Sequence, residues 1–154
     1  MALTIEDGTG LPDADSYVSA VDCTNYHARR GNAKWGAATE EDQEAALIRA
    51  VQYLDAHYLW KGAKLTANQG LAWPRDAAGV PRPVRDAQCE LALRALSGPL
   101  VRDSDGRVVT AKTIGPIKTE YGLTGSGQTY GIIDAMLRDQ VRPAGSGTIR
   151  LRRG

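Results

Sequence analysis

The most regular alternation of apolar and polar positions lies in residues 44–58, where Leu47, Val51, Leu54 and Tyr58 recur at i, i+4, i+7 and i+11 and Ile48 widens the stripe. This spacing puts apolar side chains on one face of a helix, and that face must be buried against a neighbour. Thr39 followed three residues later by Asp42 makes a capping pair, and Glu40, Glu41, Asp42 and Glu44 set negative charge at the positive end of the helix dipole. The pattern predicts a helix from the Thr39 cap to Tyr58, stopping before Gly62.

A third helix opens at Pro83, where a missing N–H costs nothing, and ends at Gly98-Pro99. Val84, Ala87, Leu91 and Ala95 form one apolar stripe and Cys89, Leu93 and Leu96 a second. A helix apolar on so much of its circumference is either central to the fold or sandwiched between subunits. The first helix is weaker. Ser19 and Asp22 resemble a capping box and Gly31 closes it, but Thr24 and Asn25 are poor interior helix residues, so it depends on its neighbours. Ile132, Ile133, Met136, Leu137 and Val141 mark a last helix, and residues 31–38, with Trp35, read as a connector.

Between these segments the periodicity fails. Residues 1–18, with Gly8, Gly10 and Pro12 among acids, read as an irregular arm with an extended Tyr17-Val18. Residues 61–82 carry Gly62, Gly70, Pro74, Gly79 and Pro81, a loop of a length uncommon in a small domain unless it makes an interaction. The runs 107–114 and 117–121 are β-rich on either side of Gly115-Pro116, which predicts a short hairpin or paired extended arms. Residues 122–131 are rich in Gly, Ser and Thr and read as flexible. The expected fold is mainly α: a small helical bundle with a long loop, a short β hairpin or extended arms, and a flexible C-terminal tail. Residues 1–142 form one domain with an N-terminal arm at 1–18, and residues 143–154 form a basic tail.

Length and composition agree with one domain: 154 residues, 42% hydrophobic. A net charge of +1, from 19 basic and 18 acidic side chains, supplies no global field for nucleic acid, a membrane or an acidic substrate. Charge is nevertheless uneven, since residues 1–22 hold five acids and no Lys or Arg, while residues 138–154 hold five arginines against Asp139. Cys23 and Cys89 fall in separate helices without a disulfide-framework spacing, which favours a reducing compartment. The N-terminus lacks the layout of a signal peptide and no run reaches the roughly 18 apolar residues of a spanning helix. A soluble protein made inside the cell, with no membrane partner, is expected.

The sequence holds little that points to catalysis. Gly125-Ser126-Gly127 and Gly145-Ser146-Gly147 lack the spacing of a nucleophile elbow, and no Gly-Lys-Ser/Thr occurs for a phosphate loop. Cys23 and His27, four apart on one helix, have a spacing that can share a metal, with Cys89 and His57 to complete a set; a buried thiol and two partly exposed imidazoles are the simpler reading. No enzyme, cofactor or metal is expected. Trp73-Pro74-Arg75 and Tyr58-Leu59-Trp60-Lys61 look superficially like base-stacking patches, but tryptophan beside proline more often pins a loop to a helix pair. Trp60, Gln69, Trp73 and Arg75 are therefore read as the loop that meets a neighbouring subunit or partner. In the tail, Ile149, Arg150, Leu151, Arg152 and Arg153 alternate apolar with basic, which suits strand addition to a partner's sheet.

The ordered set of Gly10-Leu11-Pro12-Asp13-Ala14-Asp15-Ser16-Tyr17-Val18-Ser19, Arg30-Gly31, Trp35, the helix of residues 44–62, Gln69 to Arg75 and Ala87 to Leu96 resembles tailed-phage head–tail adaptors. These are also called head-completion or connector proteins, and some such sequences carry a DnaT-like single-stranded DNA-binding label. The likeness is good over residues 8–100, and the chain departs from it where Cys23, Thr24 and Asn25 replace an Ala/Glu-rich run. The resemblance implies a ring of subunits in the virion neck, beneath the portal of a DNA-filled capsid. The partners it implies are the portal protein, neighbouring copies, a downstream neck or tail-completion protein, and genomic DNA passing through the channel. It implies no catalytic residues, and it gives residues 148–153 the role of a portal-binding tail. The other functional class in view is a single-stranded DNA-binding replication accessory.

Overall fold

Thr39 caps the longest helix as its sequence requires. Its Oγ1 accepts from Asp42 N at 3.2 Å and donates to the Asp42 carboxylate at 2.8 Å, and Ser19 does the same with Asp22 at 3.0 and 2.8 Å. Each pair satisfies an N–H that the first helical turn leaves open. The computed structural model describes residues 2–101, 111–114, 117–120 and 130–143. Within them the order is α1 (Ala20–Ala28), α2 (Ala33–Gly36), α3 (Glu40–His57), α4 (Arg82–Ala95), β1 (Ala111–Ile114), β2 (Ile117–Glu120) and α5 (Gly131–Leu137).

The α3 and α4 helices form the main packed pair, and α1 and α5 also lie against α4. Leu47, Leu54, Val84, Leu91, Ile133 and Leu137 are sealed between them. Both apolar stripes of α4 are used inside the chain, with Leu93 and Leu96 packed on the rim of the core. Of the two roles that its sequence allows, this helix is the central one.

Two segments are more ordered than their sequence implies. Residues 31–38, expected as a connector, include the single turn α2, which drives Trp35 into the core at 0% exposure. Its indole N–H donates to Thr24 Oγ1 at 3.0 Å, so the Thr that weakens α1 as a helix supplies the acceptor that a buried tryptophan needs. The N-terminal arm is irregular but folded onto the bundle: Ile5 bridges Ser16, and Ser16, Tyr17 and Val18 are buried. Glu6 organises it, accepting from Gly8 N at 2.9 Å, Gly10 N at 2.8 Å and Leu11 N at 2.8 Å.

β1 and β2 pair antiparallel, from Ala111 opposite Glu120 to Ile114 opposite Ile117, which makes the expected hairpin. Among the described residues no helix is long and apolar enough to cross a membrane. Of the stretch 122–131, expected as flexible, Tyr130 and Gly131 open α5, while residues 122–129 and the tail residues Ile149, Arg150, Leu151, Arg152 and Arg153 lie outside the described residues.

Candidate functional site

Asp55 falls between Val51 and Tyr58 on the apolar side of α3, where a carboxylate has to find partners or pay for its burial. It finds two: the Tyr17 hydroxyl donates to Oδ1 at 2.7 Å and Ala72 N donates to Oδ2 at 2.9 Å. The same hydroxyl accepts from Trp73 N at 3.2 Å. On the other side Tyr17 N donates to Gln88 Oε1 at 3.1 Å, while Gln88 Nε2 donates to Ser16 Oγ at 2.7 Å and to Leu47 O at 3.1 Å. A continuous buried polar chain thus joins α4, the N-terminal arm, α3 and the long loop. Burial raises the Asp55 carboxyl above its ordinary range, against the bonds from Tyr17 and Ala72 and the charges of Lys64 and Arg75. Burial, with the Asp55 charge beside it, also raises the Tyr17 phenol.

The loop of residues 61–82 closes on itself around two side chains. Gln69, 4% exposed, accepts from Thr66 N at 2.9 Å and donates to Leu71 O at 2.9 Å and Pro74 O at 3.0 Å. Arg75 spends its guanidinium on three main-chain carbonyls: Lys61 at 2.8 Å, Ala72 at 3.2 Å and Gly62 at 2.6 Å. Lys64 bridges Arg75 in antiparallel fashion, and the Trp73-Pro74 peptide is cis. Gly62, at φ 75°, leaves room for Asp76: a Cβ there would meet the Asp76 carboxylate at 1.8 Å.

Trp60 and Trp73 meet edge to face, 5.7 Å between centroids, with both rings buried. Tyr58 continues the contact at 5.8 Å from Trp60, and Tyr53 links it to Tyr130 at the start of α5. The root of the loop is then sewn to the end of α5. Lys61 N donates to Gln140 O at 3.0 Å, Arg142 N to Leu59 O at 2.7 Å, and Trp60 bridges Val141 between them. Tyr58 O–H donates to Asp134 at 2.6 Å and Lys61 Nζ to Asp139 O at 2.9 Å. Leu59, at 69% exposure, stands on the surface of this seam, and Lys61, Lys64 and Arg142 are exposed around it.

The four loop residues singled out from sequence are thus brought together, and their side chains point inward. Trp60, Gln69, Trp73 and Arg75 hold the loop in shape; the surface around its root includes Leu59, Lys61, Lys64 and Leu65. The root of the tail, at Val141 and Arg142, lies beside the root of the loop. Of the metal reading nothing is assembled: among the described residues no three His, Cys, Asp or Glu groups could hold an ion. His27, expected to be partly exposed, is instead buried at 1% exposure beside Tyr26 and Trp35 and satisfied at both nitrogens, Nε2–H donating to Cys89 O at 2.9 Å and Nδ1 accepting from Asn32 Nδ2 at 3.0 Å. His57 instead stacks on Tyr53. Sequence reasoning missed Glu6, Tyr17, Asp55 and Gln88; the available signal was a polar residue set within an apolar helical stripe, as Asp55 and Gln88 both are.

Over residues 1–154 the sequence matches the family described as "Putative DnaT-like ssDNA binding protein". No curated protein and no solved structure matches the chain.

Proposed function

The chain belongs to that DnaT-like family, and from the resemblance of its sequence to head–tail adaptors we propose that it is a structural, non-enzymatic adaptor, forming a ring in the virion neck below the portal. The observation that carries this reading is the seam between residues 59–61 and 140–142, which ties the root of the loop to the root of the basic tail. A ring subunit needs unlike surfaces that meet head to tail. In this role the loop rim around Leu59 and Leu65 faces a neighbouring copy. Ile149, Arg150, Leu151, Arg152 and Arg153 engage the portal, and the opposite end is left for the downstream neck component. Genomic DNA passes through the channel without sequence-specific contact. The test is recruitment to portal-bearing capsids that lack necks. Full-length protein co-sediments with them and a chain ending at Arg142 does not; unchanged recruitment of the truncated chain sinks the tail's role.

The description of the family favours a second reading, binding of single-stranded DNA. Exposed Lys61, Lys64 and Arg142, grouped at the seam, are cations that a phosphate backbone could meet. Against it, Trp60 and Trp73 are 6% and 7% exposed and Arg75 is committed to carbonyls, so the stacking groups of the loop are already used. Fluorescence anisotropy with labelled oligothymidine separates the two. The adaptor reading expects no saturable binding at low salt. Saturable binding with a clear salt slope, weakened in Lys64→Ala and Arg142→Ala, would install the second reading in its place.

A further inference from the structure

Cys23 and Cys89 are far apart in the sequence and together in the fold. α1 is laid on α4 in a register set by two polar contacts: His27 Nε2–H to Cys89 O at 2.9 Å, and the Tyr26 hydroxyl to Glu90 Oε1 at 3.0 Å. Cys23 sits one turn before His27, on the same face of α1, so its side chain falls at the Cys89 position. There the Cys89 thiol beside it, together with burial, holds the Cys23 thiol well above its ordinary range. Both are free, at 0% and 2% exposure, and neither takes part in the loop or the seam. A single buried cysteine is usually a small core residue. Two that face each other across a helix pair can also form a covalent bond.

We propose that Cys23 and Cys89 are a redox pair that closes to an intramolecular disulfide, stapling α1 to α4, when the protein meets a small disulfide oxidant such as glutathione disulfide. One cysteine thiolate attacks a sulfur of the oxidant, expels the first glutathione thiolate and forms a mixed disulfide. The second cysteine thiolate attacks the protein sulfur of that bond and expels the second glutathione. Two protein thiols are oxidised, one small disulfide is reduced to two thiols, and the cysteine protons pass to the departing thiolates. The thiols are sealed while α1 is docked, so the reaction proceeds through α1 lifting from α4. Its weak stripe and its Thr24 and Asn25 make α1 the helix suited to such local opening. Reduced, α1 remains detachable; oxidised, it is fixed, and the closed chain loop restricts the unfolded state.

The full-length protein is incubated with glutathione disulfide a few degrees below its Tm, so that α1 samples its open state. The expected product is a monomer lighter by two hydrogens, with no free thiols after denaturation, a linked Cys23–Cys89 peptide on digestion, and a Tm raised by about 10 °C that dithiothreitol reverses. Cys23→Ser treated in the same way shows no such rise. Two thiols still free at that temperature, glutathione adducts as the end product, or disulfide-linked dimers would each overturn the proposal. The peptide map is made on the wild-type chain, so the result stands even where a substituted chain folds poorly. None of these readouts depends on portal or DNA binding.

Discussion

The Tyr17 hydroxyl and the Asp55 carboxylate are 2.7 Å apart, and through this bond the N-terminal arm is fastened to the C-terminal half of α3. Because the same hydroxyl also accepts from Trp73 N, and Asp55 from Ala72 N, the pair holds the far strand of the long loop as well.

Tyr17→Phe removes one donor and one acceptor while filling the same space. It leaves Asp55 with a single partner and Trp73 N with none, a loss of about 1–3 kcal/mol. Urea unfolding should show the midpoint falling, with trypsin cutting sooner within residues 61–82. An unchanged midpoint would mean that arm and loop are held by packing alone.

Asp55 titrates above its ordinary value of 3.8 because it is buried. Between 3.8 and its raised folded value, the folded state binds more protons than the unfolded one. Its ionisation therefore opposes folding: the advantage of the protonated acid is full below the unfolded value and is lost as pH rises through the folded one. Asp55→Asn has no such dependence. The stability difference between wild type and Asp55→Asn should move in favour of wild type as pH is lowered into this window. A flat difference in paired urea titrations would contradict the assignment.

His27 shifts the other way, its imidazole held below 6.5 by burial among Tyr26, Trp35 and Asn32, with Glu90, Arg30 and Arg94 as the nearby charges. The unfolded chain takes up a proton near 6.5 that the folded chain resists, so stability present above that pH is lost as pH falls through it. Thermal scans from pH 7.5 to 5 should show wild type losing Tm relative to His27→Gln. Parallel curves for the two proteins would count against a neutral, fully bonded His27.

Gly62 and Gly31 both have positive φ, at 75° and 69°, but only Gly62 is crowded. Gly31→Ala should cost about 1 kcal/mol from backbone conformation alone. Gly62→Ala should cost clearly more, because its Cβ displaces the Asp76 carboxylate from Ala63 N. Equal losses in thermal denaturation would show that the Asp76 contact is dispensable.

The helix starts were legible because a cap is a local device: Thr39 with Asp42 and Ser19 with Asp22 satisfy N–H groups of their own first turn. The α3 stripe was legible for the same reason, since its period lies within one segment. The interior of the loop was not. What fixes it is Asp55 from one helix, Tyr17 from the arm and Gly70 N bonded to Leu11 O, and no rule of spacing connects residues that far apart. Trp60 and Trp73 could be named as loop anchors from their setting beside glycine and proline, but not their contact with each other. The turn α2 escaped notice because four residues carry too little pattern to stand out from a connector. Cys23 and Cys89 likewise meet only once α1 is docked.

The seam between residues 59–61 and 140–142 also determines how the chain carries load. Tension entering at Pro143 reaches the Arg142 N to Leu59 O bond and then the Lys61 N to Gln140 O bond before it can reach the packed face of α5. It is therefore handed sideways into the loop, where the Arg75 guanidinium grips the carbonyls of Lys61 and Gly62. A pull on the tail is borne first by the loop, and α5 is spared until the seam has parted.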